Sequence, residues 1–217
     1  MNEERLDKIG RKYGTDKSSM GHGYLDIYDF WLHGLRGHVR KVLEIGIGGG
    51  GSLKMWADYF PFASIIGVDI NNDFVRLDYG DRIETFEMDV SIPESWIRLF
   101  QNMGGGFDLI VDDGSHTARD MIAAFESGWP LLKPDGLYFV EDLHASYDVG
   151  YNRRLLPKYP HLQTEPTKHA IKFFLELVHQ VNENGEGQTG KPSGKCDIDF
   201  IMFAKSLCII RKGPRGQ

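Results

Sequence analysis

The chain has 217 residues, 41% of them hydrophobic and 26% charged. That balance excludes disordered and collagen-like classes and suffices for one domain with a buried core. Its 25 Lys and Arg stand against 31 Asp and Glu, a net charge of −6 that does not suit a coat for phosphate backbones, so no nucleic-acid partner is expected. The N-terminus is charged and has no apolar signal-peptide core, and no apolar run approaches the ~18 residues of a membrane span. The expectation is a soluble, cytoplasmic protein without a membrane partner.

In chain order, residues 3–13 carry Leu6, Ile9 and Tyr13 at helical spacing, and Gly14 ends that helix. A polar, Gly-rich loop reaches Gly23, and helical spacing returns over 24–35 (Tyr24, Ile27, Tyr28, Trp31, Leu32, Leu35). An apolar helix of this kind, if exposed, would favour a homo-oligomer. From residue 41 the pattern becomes strand–helix alternation, with strands expected at 41–45, 64–69, 82–88, 107–112 and 137–141. Helices are expected between them at 52–60, 72–78, 92–103 and 117–132, with Lys133–Gly136 as a turn. Short connections and apolar strand runs predict a parallel sheet with right-handed crossovers. Beyond Asp142, residues 145–165 read as a loop or lid whose Tyr147, Tyr151, Tyr159, Arg153 and Arg154 can face an acceptor or coat a surface. A helix fits 167–182, and 182–195 reads as a polar loop. Residues 197–203 and 207–211 form an antiparallel hairpin around Ala-Lys-Ser. The two cysteines, Cys196 and Cys208, read as thiols rather than a disulfide. The fold class is therefore α/β: a Rossmann-like, seven-stranded, mostly parallel sheet with a C-terminal antiparallel hairpin and helices on both faces. Residues 1–217 form a single domain, of which 1–36 are an N-terminal helical lid.

Gly46, Gly48 and Gly51 match G-x-G-x-x-G between a strand and a helix. Such a loop serves NAD or S-adenosylmethionine (SAM). A ribose-binding acid is due about 20 residues on, where Asp69 closes the second strand. Glu44, just before the first glycine and facing the cleft, suits the ammonium and sulfonium of SAM and is poor beside a pyrophosphate. Asp89 follows the third strand, where an adenine amino group needs an acceptor. The final hairpin replaces the second parallel half of a dinucleotide fold, which also favours SAM. The alternatives are an NAD-dependent oxidoreductase on the same loop and a non-catalytic SAM-binding module. The pieces VLEIGIGGGGS (42–52), GVDI (67–70), MDV (88–90) and FDLIVDDGSH (107–116) resemble class I SAM-dependent methyltransferases. That resemblance implies cofactor contacts from Gly46, Gly48, Ser52, Asp69, Asp89 and Asp112.

Asp112-Asp113-Gly-Ser-His116 ends the fourth strand and Glu141-Asp142-Leu-His144 the fifth. Adjacent parallel strands end on one crevice. Crowded carboxylates raise one another's pKa, and a bound cation relieves this. All-oxygen ligation suits Mg²⁺, Mn²⁺ or Ca²⁺, and no cluster of thiolates or histidines points to zinc. A metal lowers the pKa of an acceptor hydroxyl, and His116, better placed than His144, removes the proton. Ser115 and Asp113 could instead cap the next helix. KYGTDKSSMGHGYLDIYD (12–29), VDDGSH and VEDLH resemble the metal-dependent sugar O-methyltransferases of antibiotic biosynthesis, the mycinamicin and demethylmacrocin type. The resemblance covers the methyltransferase domain alone, without the extra N-terminal domain of the mycinamicin type. It implies Asp113, Glu141 and Asp142 as metal ligands, with Asp29 where that family has a Glu, and His116 as general base. It also implies Tyr13, Thr15 and Lys17 as a cover over SAM, and a small-molecule glycoside or other hydroxyl-bearing acceptor.

Overall fold

In a computed structural model, the described residues are 4–76, 78–147, 170–183 and 197–214. The strands form one seven-stranded sheet in the order β3-β2-β1-β4-β5-β7-β6. They are β1 (Lys41–Ile45), β2 (Ser64–Asp69), β3 (Ile83–Glu87), β4 (Phe107–Asp112), β5 (Leu132–Val140), β6 (Ile198–Ala204) and β7 (Leu207–Lys212). The helices are α1 (Leu6–Tyr13), α2 (Leu25–Leu32), α3 (Gly51–Tyr59), α4 (Asn72–Val75), α5 (Pro93–Met103), α6 (Ala118–Gly128) and α7 (Ala170–Glu183). Strand β2 pairs in parallel with β1 and β3, whereas β7 runs antiparallel to β5 and β6, as the hairpin expectation required.

Contacts within the chain group into two compact units: residues 1–89 with 107–110, and residues 90–106 with 111–217. In the first unit the apolar runs of β1 and β2 are buried, with Val42, Leu43, Ile65, Ile66 and Val68 closed to solvent. Trp56 and Tyr59 from α3, Phe60 just after it and Tyr28 from α2 complete that core. The aromatic stripe of α2 is thus core on its Tyr24 and Tyr28 side, while Phe30 is 79% exposed. Gly14 ends α1 at φ +70, a left-handed conformation that costs glycine nothing. In the second unit Tyr138 and Phe139 of β5 and Ile209 and Ile210 of β7 are buried.

Several boundaries differ from expectation: α4 ends at Val75 rather than at 78, other ends move by one to three residues, and three differences have a visible cause. Helix α2 tightens into a 3-10 turn at His33–Leu35. Helix α6 does the same at Trp129–Leu131, where Pro130 lacks an amide for the helical ladder. Lys133–Gly136 is not a turn between elements. It lies within β5, which bends there at Asp135 (φ +63), and Arg211 of the neighbouring β7 donates to the Asp135 carboxylate at 2.7 Å. Of the lid and polar-loop expectations, 148–169 and 184–196 lie outside the described residues, and with them Tyr151, Arg153, Arg154, Tyr159 and Cys196. Cys208 is a buried free thiol, pushed up well above its usual pKa by burial.

Candidate cofactor and metal sites

The first unit holds the glycine loop between β1 and α3. Gly46, Gly48 and Gly50 all have positive φ. At Gly50 (φ +72) a Cβ would also sit inside the ring of Tyr79, so that position admits only glycine. Gly51 has another reason: a Cβ there would approach the Tyr13 carbonyl oxygen to 2.6 Å and the Thr15 nitrogen to 3.3 Å. The segment after α1 therefore packs directly on the start of α3. Asp69 closes β2 as expected, and its carboxylate accepts from the loop amide of Ile47 at 2.8 Å and from Asn71 N–H at 2.7 Å. The acid thereby fixes the loop's course, while a carboxylate has lone pairs for a further donor.

Glu44 is fully buried, and its Oε2 accepts from the Trp56 indole N–H at 3.1 Å. The Lys17 ammonium, 1% exposed, lies 3.4 Å from Glu44 Oε1. Glu44, expected to face the cleft, is enclosed by Trp56 of α3 and Lys17 of the N-terminal segment. Tyr13 points its hydroxyl at Asp58 (3.0 Å), which Lys12 also meets at 2.8 Å. Thr15 and Ser52 are buried, and Asp89 is half-buried just after Met88, whose N–H donates to the Asp69 carbonyl. Asp29 accepts from the Tyr59 hydroxyl at 2.5 Å and lies 3.7 Å from His33 Nδ1, which ties α2 to α3.

The second unit holds the acidic cluster. Asp113, His116 and Asp142 each offer a ligand atom, all within 4.8 Å of one another. His116 Nε2 is 3.7 Å from an Asp113 oxygen and 3.5 Å from an Asp142 oxygen. His144 approaches Asp142 at 3.7 Å from a half-exposed position. The two carboxylates, Asp113 and Asp142, fit an oxygen-seeking Mg²⁺ or Mn²⁺ with further positions for water or an acceptor, and leave His116 Nε2 beside them as a base. Glu141 is buried, its N–H donating to the Asp112 carbonyl, and it stands outside that group of three. Asp112 is also buried, which holds its carboxyl well above the usual carboxylate range; Asp113 and Asp120 add to the effect, and a Gly114 backbone hydrogen bond opposes it. Asp112 Oδ2 has no hydrogen-bond partner among the described residues.

Backbone conformation marks the same residues. Among the described residues only four non-glycines have positive φ, and two of them are His116 (+56) and Asp142 (+54). Each costs on the order of 1–3 kcal/mol and persists only where the surroundings impose it, and such strain concentrates at functional sites. The capping alternative for Asp113 and Ser115 is also settled. Thr117 caps α6 by accepting from Asp120 N–H at 3.3 Å, while Ser115 donates to Asp120. Sequence reading missed three residues here: Asp120, Trp56 and Tyr79. The spacing of Thr117 and Asp120 resembles a capping box and could have flagged the first. Nothing in the pattern pointed Trp56 at Glu44 or Tyr79 at Gly50.

This mixed sheet with its antiparallel terminal pair, and the glycine loop after its first strand, is the Rossmann-like methyltransferase architecture. Residues 43–143 match the family model described as a methyltransferase domain. The chain is 36% identical, over 98% of its length, to the Streptomyces olivaceus 8-demethyl-8-(2-methoxy-alpha-L-rhamnosyl)-tetracenomycin-C 3'-O-methyltransferase, covering 55% of that protein. It is 34% identical, over 98% of its length, to the Streptomyces fradiae demethylmacrocin O-methyltransferase, covering 54% of it. The solved structure of MycE methyltransferase from the mycinamycin biosynthetic pathway, in complex with Mg and SAH, superposes with a TM-score of 0.78 at 26% identity. That likeness covers 98% of this chain and 56% of MycE. The chain spans about half the length of the curated relatives it matches. Among the described residues no helix is long and apolar enough to cross a membrane.

Proposed function

We propose that this protein is a SAM-dependent, divalent-metal-dependent O-methyltransferase acting on a sugar hydroxyl of a glycosylated small molecule. The observation that carries the reading is the Asp113–His116–Asp142 cluster, held together by two left-handed backbone positions. The relative named for 3'-O-methylation of a rhamnosyl tetracenomycin supports the acceptor class, and the demethylmacrocin O-methyltransferase supports transfer to oxygen. MycE bound to Mg and SAH supports the cofactor pair. Residues 1–217 would then act as one methyltransferase domain.

In this reading SAM is held by the glycine loop at Gly46 and Gly48, with Asp69 for the ribose, Asp89 for the adenine amino group, and Tyr13, Thr15, Ser52 and Asp112 around it. Glu44 would act on this site through Lys17, by keeping the N-terminal segment docked. Asp113 and Asp142 would hold the metal, with Glu141 supporting from its buried position. The metal, when bound, would supply charge that lowers the pKa of a coordinated hydroxyl. His116 takes the hydroxyl proton at Nε2. The alkoxide then displaces S-adenosylhomocysteine from the sulfonium methyl: the O–C bond forms as the S–C bond breaks, and both charges vanish. Because attack needs an in-line approach at about 3–3.5 Å, rigid placement supplies much of the rate.

The test incubates the protein with methyl-labelled SAM, Mg²⁺ and a panel of rhamnosyl and other deoxysugar glycosides, with simple catechols as a second acceptor class. Label on a sugar oxygen, located by NMR, supports the reading. Label on catechols alone would retain the chemistry and reject the sugar acceptor. SAM left intact across the panel would reject the assignment.

A further inference from the structure

The proposed mechanism uses Asp113 and His116 but leaves a buried carboxylate beside them unexplained. Asp120 is 5% exposed in the first turn of α6. An acid in a first turn ordinarily faces solvent and gains from the helix dipole there. Here it is turned inward, at a desolvation cost that must be offset by its bonds. It is not needed as a cap, because Thr117 already fills that role. Its Oδ2 instead lies 2.5 Å from Ser115 Oγ. Ser115 Oγ in turn lies 3.3 Å from Thr117 Oγ1 and accepts from Thr117 N–H at 3.3 Å. The residues on either side of the left-handed His116 are thus both tied to the first turn of α6, Ser115 through the Asp120 carboxylate and Thr117 through the Asp120 N–H.

We propose that Ser115 and Asp120 form a strut that fixes the Asp113–His116 loop in its metal-binding geometry, which makes both of them positioning residues. This rests on the functional reading above, because it takes Asp113 and His116 to be the working groups. Residues that orient metal ligands contribute about 10–100-fold in metal affinity. A carboxamide at position 120 still offers an oxygen to the Ser115 hydroxyl, so the geometry survives loss of the charge.

The experiment measures Mn²⁺ binding, with the metal alone as probe, by EPR of the free ion on the full chain. Ser115→Ala and Asp120→Ala should each weaken binding about tenfold or more, whereas Asp120→Asn should stay close to wild type. The Ser115→Ala/Asp120→Ala double variant should be no weaker than the weaker single, because both remove the same bond. SAM affinity by calorimetry should be unchanged in all of them. Wild-type Mn²⁺ affinity in Ser115→Ala, additive losses in the double variant, or Asp120→Asn as weak as Asp120→Ala would overturn the strut. Should Asp120→Ala fail to fold, Ser115→Ala and Asp120→Asn decide the matter. Wild-type protein that binds no Mn²⁺ would refute the metal reading itself, and the strut with it; that failure is recognised in the wild type before any variant is made.

Discussion

His116 and Asp112 show how differently two neighbouring polar side chains are used. His116 sits at a strained φ with its Nε2 between two carboxylates. His116→Ala should lower methyl transfer by at least about 100-fold, the scale of general-base catalysis, while SAM still binds by calorimetry. Asp112 contributes in the opposite sense. Burial raises its folded pKa above that of the unfolded chain, so the native state holds the proton more tightly. Its contribution to stability is therefore favourable at low pH and is lost as pH rises from about 4 through the folded pKa. Asp112→Asn removes this titration. Denaturant titrations of metal-free protein should show stability falling less steeply with rising pH in the variant than in wild type. An identical slope would contradict that role. Cys208, buried and with its thiol pushed up, should resist alkylation in native buffer, as peptide-level mass spectrometry would read.

Much of the architecture is legible at the level of elements, because the apolar runs of β1, β2 and β4 and the glycine breaks after α1 and α5 each have one physical solution. Those three strands begin and end at the expected residues. What the pattern could not show is where long-range partners lie. Glu44 reads as a cleft acid from its place before Gly46, yet Lys17 and Trp56, distant in sequence, enclose it. Lys133-Pro-Asp-Gly136 has turn composition, but the segment continues β5 ahead of its Leu137–Val140 pairing with β7, and Arg211 of β7 bonds the Asp135 carboxylate. Removing one side of a buried ion pair strands the other charge. Lys17→Met should thus cost about 3–5 kcal/mol in denaturant unfolding. Adding Glu44→Gln should recover part of it, since the amide oxygen still accepts from Trp56. Gly51→Ala, whose Cβ would meet the Tyr13 carbonyl, should cost about 1–3 kcal/mol and weaken SAM binding as the N-terminal segment is displaced.

At the scale of the whole molecule, the candidate groups fall in two compact units. The first contains the glycine loop, Asp69 and the buried Lys17–Glu44 pair. The second contains the acid–histidine cluster and the capped helix α6. The sequence motifs announce both sets, since GIGGGG and DDGSH are short and contiguous. Their partition between units, and the grouping of Asp113 and Asp142 with His116 rather than with Glu141, depend on backbone turns no periodicity encodes. In the proposed function, methyl transfer needs both sets of groups and a divalent cation. Transfer from labelled SAM to a rhamnosyl glycoside, followed after chelator treatment and dialysis and again once Mg²⁺ is restored, tests this. The stripped protein should transfer no methyl, and adding Mg²⁺ should restore transfer. Undiminished transfer by metal-free protein would contradict the metal requirement.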